Sequence, residues 1–298
     1  MIPRETDKES RMRLITIIYK RSRSEAAELA LKLKRWLESL NIGVHCQQNV
    51  GDAGGRIRTA EYPTLDIPAA CDAIIVLGGD GTFLSVARFL ERCGTPVVGV
   101  NLGGLGFLTE IAQEVCFKEI ERIVNGDYEI EERMRLSVSV QREDTDVFRL
   151  SVLNDAVINK GALARIVDLK TRINGRQLTD YRADGLIVAT PTGSTAYNLS
   201  AGGPIVFPTA QAMILTPICP FTLSDRPIIL PADVTLQVEL GDPSEDVALT
   251  CDGQVGFALA PSDRIVITRA TKPLRLIKTP SIDYFEIQIG RASCRERV

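Results

Sequence analysis

The sequence predicts an α/β domain over residues 1–134 followed by an all-β domain, a sandwich, over residues 135–271. Three observations carry this expectation. Buried β-branched runs alternate with helical periodicity through the first half, the pattern of a parallel α/β sheet. From Arg135 onward that periodicity nearly vanishes and short strand-like runs separated by polar turns take over. A length of 298 residues is long for one core and comfortable for two.

In chain order, Arg13–Tyr19 (RLITIIY) reads as a buried strand. Ser24–Leu40 carries Ala27, Leu29, Leu31, Leu33, Trp36 and Leu37 at helical spacing, with Ser24 as its N-cap. A strand at Gly43–Gln47, a loop at Gly51–Pro63 and a buried strand at Asp72–Leu77 follow. A helix over Thr82–Arg92, a strand over Thr95–Val100 and a helix over Val115–Asn125 complete the domain. The second domain is expected to contain strands at Leu136–Gln141, Arg149–Leu153, Ala156–Asn159, Ile166–Ile173, Leu186–Ala189, Arg226–Leu230, Val234–Glu239, Val247–Cys251 and Arg264–Arg269. A turn is expected near Thr209–Leu215.

Composition narrows the function. Apolar residues make up 45% and charged residues 24%, and the net charge is −3. A nucleic-acid surface needs a clustered basic excess, so none is expected. No apolar run approaches the ~18 residues of a membrane span, and the polar start MIPRETDKESRMR holds no secretory core, so cytoplasm is the expected location. The seven cysteines are scattered without a C-x-x-C pair, as suits free thiols in a reducing compartment. His45 is the only histidine, which disfavours Ser-His-Asp and multi-histidine metal chemistry. The chemistry is expected to run on carboxylates.

Gly78-Gly79-Asp80-Gly81-Thr82 directly follows the run DAIIVL and opens a helix. A strand, a glycine turn and a helix start together hold polyphosphates: terminal N–H groups are unpaired, the helix dipole favours anions, and glycines permit close approach. The spacing is neither a Walker loop nor a Rossmann fingerprint. Asp80 is the unusual member. A carboxylate beside phosphates costs electrostatic energy unless it holds a metal or meets a nucleophile bearing a proton. The bland alternative is a helix cap at Asp80 or Thr82. Asn101-Leu102-Gly103-Gly104-Leu105-Gly106-Phe107 follows the next strand, placing a second glycine turn on the same sheet edge, where α/β folds bind ligands. Tyr181-Arg182-Ala183-Asp184-Gly185 and the stretch Thr190–Pro204, TPTGSTAYNLSAGGP, gather hydroxyls, a tyrosine and glycines in a domain otherwise made of strands. Such groups suit a nucleoside. Asn154-Asp155 and Cys251-Asp252-Gly253-Gln254 read first as turns. From the residues alone the chain is a nucleotide-dependent phosphotransferase with a carboxylate base. A non-catalytic dinucleotide sensor is the rival, and Asp80 speaks against it.

With these motifs in order, GGDGT, NLGGLGFL, LND, RADGL, TPTGSTAYNLSAGGP and CDGQ, the chain resembles the NAD kinase family from about Arg13 to Phe285. GGDGT is shared with lipid kinases, but their GGDGT-x-N-E continuation is absent here, where Phe83-Leu84-Ser85 follows. The resemblance implies an N-terminal nucleotide-binding domain of the NAD kinase/diacylglycerol kinase-like type, to which residues 272–288 return, and a C-terminal sandwich that binds NAD. It implies transfer of the ATP γ-phosphoryl group to the adenosine 2′-hydroxyl of NAD, with Mg²⁺ or another divalent metal, in a homodimer or homotetramer. Asp80 matches the proton acceptor. Gly78, Gly79, Gly81 and Thr82 belong to the nucleotide loop, and Phe107 stands near the NAD adenosine. Asn154 matches the asparagine that grips the NAD ribose, and Asp155 stands where many members have glutamate. Asp184, Thr192, Thr195, Ala196, Tyr197, Asn198, Leu199 and Ser200 match dinucleotide contacts. Arg165, Arg182 and Gln254 fall at further ligand-binding positions. No side chain is assigned to a metal. Arg182 stands where some polyphosphate-using members have glycine, so ATP is the expected donor in preference to polyphosphate.

Residues 289–298 (IGRASCRERV) lose all periodicity, read like translated sequencing-adapter sequence, and stand where the family has a Lys-Leu-Gly-Trp-like segment. They are expected to be foreign to the natural protein. Ending the chain at Gln288 should therefore change stability by no more than about 0.5 kcal/mol in thermal denaturation, and a large loss would show that the segment belongs.

Overall fold

The computed structural model describes residues 12–49, 65–104, 106–161, 166–222, 224–241 and 246–280, leaving out the side chain of Arg92. Arg165, the loop expected at Gly51–Pro63 and the suspect segment 289–298 lie outside the described residues. The chain divides into two compact units. The described part of the first is 12–49, 65–131 and 275–280, and the second is 132–274.

The first unit is built on β1 (Leu14–Tyr19), α1 (Ser24–Ser39), β2 (Gly43–Gln48), β3 (Ala73–Leu77), α2 (Asp80–Ala87), α3 (Leu90–Cys93), β4 (Val97–Asn101), the two-residue β5 (Ile111–Ala112), α4 (Cys116–Val124) and β6 (Glu129–Arg133). Its sheet runs β2-β1-β3-β4, then the returning strand Leu274–Lys278, then β6, with β5 pairing on β4. The pairs β1–β2, β1–β3, β3–β4 and β4 with the returning strand are parallel. A parallel sheet is covered on both faces, which is why β3 and β4 are apolar at nearly every position. Ile15, Ile17, Ile75, Leu77, Val98 and Val100 share a core with Leu29, Leu33 and Leu37 of α1 and Ile120 and Ile123 of α4. The alternate strand residues Ile74, Val76 and Val97 face the other way and are buried too. Trp36 meets Phe117 edge-on, with ring centroids 5.4 Å apart.

The second unit consists of β7 (Leu136–Arg142), β8 (Thr145–Val152), β9 (Asp155–Lys160), β10 (Val167–Ile173), β11 (Arg176–Ala183), β12 (Gly185–Ala189), a 3-10 turn (Thr192–Thr195), α5 (Tyr197–Ser200), β13 (Ala212–Ile218), β14 (Ile228–Pro231), β15 (Leu236–Leu240), β16 (Val247–Cys251), β17 (Val255–Ala258) and β18 (Arg264–Arg269). The strands form two six-stranded sheets, β11-β10-β15-β18-β7-β8 and β14-β13-β12-β9-β16-β17. One apolar core, including Val138, Val140, Leu169, Leu186, Val188, Leu215, Val238, Leu249 and Ile265, lies between them. This is a β-sandwich, and the expected combination of an α/β and an all-β unit holds.

Several local expectations need correction. Of the helical turn expected near Thr209–Leu215, Thr209 lies in a non-helical turn and Ala212–Leu215 open strand β13 and pair with β14. The single helix expected over Thr82–Arg92 is two helices. Phe89 N–H bonds to Val86 O at 2.9 Å, an i→i−3 closure that ends α2, and Gly94 in the left-handed region (φ 68°) closes α3. Ser24 is the first helical residue of α1, and Arg23 takes the N-cap position without a side-chain cap. Strands β5, β6, β11 and β17 are additional, and the returning strand falls within the segment 272–288 expected to rejoin the first domain.

Candidate active site

Strand β3 ends at Leu77, and Gly78-Gly79 turns the chain into α2. Gly79 is the N-cap in extended conformation with no side-chain cap, so Asp80 is the first helical residue and does not cap the helix. Its carboxylate reaches instead to the second glycine loop, beyond β4. Oδ2 accepts the Phe107 N–H at 2.9 Å, and Oδ1 accepts the Leu108 and Thr109 N–H groups at 3.1 Å each and the Thr109 hydroxyl at 3.0 Å. Asn101, at the end of β4, completes the knot. Its Nδ2 donates to Gly104 O at 2.7 Å and to Thr109 Oγ1 at 2.9 Å, and its Oδ1 accepts the Gly103 N–H. Glu110, next in the chain, pairs with Lys278 of the returning strand.

This knot dictates the glycines. A Cβ on Gly106 would stand 2.1 Å from Asp80 Oδ1 and 2.4 Å from Thr109 Oγ1, and one on Gly99 would stand 2.8 Å from Leu108 O and Thr109 Cα. Gly78 is excluded from bearing a Cβ by Thr82, 2.6 Å away. Gly81 is exposed and Phe107 half-buried at this edge, whereas Thr82 is buried.

The second unit holds a cavity of about 290 Å³ lined by Asn154, Asp155, Val157, Asn159, Ala196, Tyr197, Thr250, Asp252 and Gly253. Four of the expected ligand-binding residues, Asn154, Asp155, Ala196 and Tyr197, therefore come together there. The walls are fixed by polar bonds. Asp252, in the left-handed region (φ 51°), accepts three successive amides: Oδ1 takes Asn154 N–H at 2.7 Å, Leu153 N–H at 3.1 Å and Asp155 N–H at 3.2 Å. Thr190 N–H donates to Asn154 O at 2.8 Å, and a Cβ on Gly193 would fall 2.1 Å from that oxygen. Asp155 is 4% exposed. Burial first, and then the nearby charge of Asp252, push its carboxyl up to about 7, against a lowering hydrogen bond from the Tyr197 backbone.

The other expected residues stand outside this cavity. Thr192 and Thr195 belong to the 3-10 turn, where Arg133 Nη1 donates to Thr192 Oγ1 at 3.4 Å. Asn198 is buried and braces its own loop: Nδ2 donates to Ser194 O and Pro204 O, both at 3.0 Å, and Oδ1 accepts the Thr216 hydroxyl at 2.7 Å. Leu199 and Ser200 complete α5. Arg182, on β11, pairs with Asp168 at 3.0 Å and lies 5.4 Å from the Phe221 ring centroid. Asp184 is exposed between β11 and β12, and Gln254 is half-buried in the turn between β16 and β17. Sequence reasoning missed three organising residues: Asn101, Thr109 and Asp252. A signal existed for two of them, an asparagine ending a strand before Gly-Gly and an Asp-Gly turn.

Gly106→Ala should destabilise the protein by about 1–3 kcal/mol in urea denaturation, because the new methyl group displaces the Asp80 carboxylate. In an Asp80→Ala background the same substitution should cost clearly less, since its clash partner is gone. Equal costs in the two backgrounds would show that Gly106 and Asp80 are not coupled.

Residues 15–128 match the ATP-NAD kinase N-terminal domain and residues 153–279 the ATP-NAD kinase C-terminal domain. The NAD kinase of Syntrophobacter fumaroxidans is 63% identical over 276 residues, covering 93% of this chain and 96% of that protein. The NAD kinase of Geotalea daltonii is 46% identical over 286 residues, covering 96% and 100%. Among solved structures, yeast NADH kinase complexed with NADH superposes with a TM-score of 0.82 at 26% identity, covering 96% of this chain and 89% of that one. An Archaeoglobus fulgidus NAD kinase in complex with ATP gives a TM-score of 0.74 at 26% identity, covering 94% and 98%. The chain belongs to the NAD kinase family.

Proposed function

We infer that the protein transfers the terminal phosphoryl group of ATP to the adenosine 2′-hydroxyl of NAD, giving NADP and ADP. The observation that carries this reading is the Asp80 carboxylate, held at the first turn of α2 and tied to the second glycine loop, in a chain of this family. Phosphoryl transfer through a loose transition state asks the protein chiefly for position and charge balance. The amides at the start of α2 and of the glycine loops are the donors suited to the phosphates. A ribose hydroxyl is a weak nucleophile at neutral pH. Asp80, its plane set by four hydrogen bonds, orients the hydroxyl and takes its proton late. Asn154 and Asp155, in the cavity of the second unit, hold the NAD ribose, with Ala196 and Tyr197 beside them.

A divalent cation fits as a partner of ATP. Among the described residues no group of three or more His, Cys, Asp or Glu side chains is placed to hold a metal. Mg²⁺ reaches kinases on the substrate phosphates with several waters retained, which asks for no such group. Bound with ATP, it would supply neutralisation of the phosphate charge. ATP in preference to inorganic polyphosphate belongs to the same proposal, supported by the bulky Arg182, which pairs with Asp168 and lies over the Phe221 ring.

The test is a coupled assay for NADP with NAD, a divalent metal, and either ATP or polyphosphate. NADP should form with both substrates and metal present, and faster with ATP. NAD binding without NADP formation would remove the enzyme reading, and equal rates would remove the donor preference. Asp80→Asn should lower kcat at least about a hundredfold while KM for NAD stays within a few-fold. Thr109→Val, which removes one of the four bonds and keeps the carboxylate, should cost about tenfold or less. A folded Asp80→Asn protein with near-normal kcat would show that Asp80 is not the base.

A further inference from the structure

The cavity of the second unit contains two carboxylates in unequal surroundings. Asp155 opens β9, and Asp252 follows β16 on the neighbouring strand. The register Ala156↔Cys251 brings the two residues opposite each other, and Asp252 N–H bonds to Asp155 O at 2.9 Å. Both side chains belong to residues more than nine-tenths buried. Two charges this close in a poorly hydrated site are unfavourable, so one of the pair is expected to hold a proton. The hydrogen bonds decide which one. Asp252 receives the amides of Leu153, Asn154 and Asp155, with Oδ2 also 3.0 Å from the Leu153 nitrogen. Such a crown of donors favours the charged form. Asp155 has the single amide of Tyr197 to offset its burial.

We propose that Asp252 is a positioning residue that keeps its own charge and holds a proton on Asp155, so that Asp155 meets the bound dinucleotide as a hydrogen-bond donor. This rests on the assignment of the cavity to the NAD ribose. A protonated carboxyl gives an O–H to a ribose oxygen, which a carboxylate cannot do. The same crown places Asn154 and Asp155 in the cavity, so Asp252 sets both the geometry and the protonation state of the pair. The groups that face Asp155 are Asn154 and Asn159 from its own strand side, Thr250, Asp252 and Gly253 from β16 and its turn, and Ala196 and Tyr197 from the start of α5. Asp252 supplies the charge among them, and the Tyr197 phenol is the other titratable group. The upward displacement of the Asp155 carboxyl to about 7, with burial as the first cause and Asp252 as the second, agrees with this arrangement.

The consequence is a pH dependence of binding with a definite sign. The competent form is protonated, so NAD affinity is full below about pH 7 and falls as pH rises through it, by about tenfold per further pH unit. The test has two arms on the full chain. Carboxyl-carbon NMR of the protein without ligand follows the Asp155 titration, which is expected near neutrality in the wild type and at lower pH in Asp252→Asn. Calorimetry with NAD from pH 5.5 to 8.5 is expected to show the falling affinity in the wild type. Asp155→Asn, whose amide donates at every pH, should flatten that profile, which ties the effect to the Asp155 carboxyl. An Asp155 carboxyl already charged at pH 5.5, or an NAD affinity that stays flat through pH 8.5 in the wild type, would overturn the proposal. If Asp252→Asn does not fold, the wild-type titration and Asp155→Asn decide it. Failure of NADP formation would count against the enzyme reading alone, because the titration of the free protein is read without any turnover.

Discussion

The glycine-loop edge of the first unit depends on one interaction, the Asp80 carboxylate accepting four hydrogen bonds from the segment Phe107–Thr109. Hydrogen bonds to a charged acceptor are worth about 1.5–3 kcal/mol each, more than neutral ones, and here they join two loops that leave neighbouring parallel strands. The glycines follow from it. Gly106 must lack a side chain because the carboxylate occupies that space, and Gly99 must lack one because the segment lies against β4. The glycine density at this edge thus has two sources. At Gly79 and Gly104 the space beside the backbone is open, whereas Gly106 and Gly99 leave room for Asp80 and the loop it binds.

The second unit repeats the device with different parts. Asp252 gathers the amides of Leu153, Asn154 and Asp155, as Asp80 gathers those of Phe107, Leu108 and Thr109. In both places a carboxylate satisfies consecutive backbone donors that a sharp turn would leave unpaired, and the turn then presents its own side chains in fixed directions. The chemical use differs. At Asp80 the proposed function needs the carboxylate itself, whereas at Asp252 it needs what the carboxylate does to its neighbour. Thr190, Gly193 and Asn198 extend this rigidity through the loop after β12, so the cavity wall is set by packing and hydrogen bonds within the unit.

Much of this was legible in the sequence. Runs such as AIIVL and VVGVN read as strands because both faces of their sheet are covered, and the alternation in LSVSVQ reads as one face of a sandwich. The glycine turns stood out because each follows such a run. What escaped was long-range or polar. Strand β11 has the sequence RQLTDYRA, whose exposed positions hide a strand, although its turn signal, Asn174-Gly175 with φ of 51° and 78°, was there to find. The return of residues 272–288 was implied by the family resemblance alone; the pairing of Leu276 with Val97 of β4 is nothing that the strand's own residues announce. Strand β6, EIEER, carries too much charge to be read as part of a sheet. Of the site residues, those with unusual chemistry for their place, such as Asp80, were visible. Those that act by holding others, such as Asp252 at 97 to 99 residues from its partners, were not.

Amide hydrogen exchange tests the central claim most directly. In the wild type the amides of Phe107, Leu108 and Thr109 should be protected to a degree approaching that of β3 and β4. In Asp80→Ala their protection should collapse while the strands keep theirs, because the donors lose their acceptor and the sheet does not. Unchanged protection of these three amides without the Asp80 carboxylate would contradict the account.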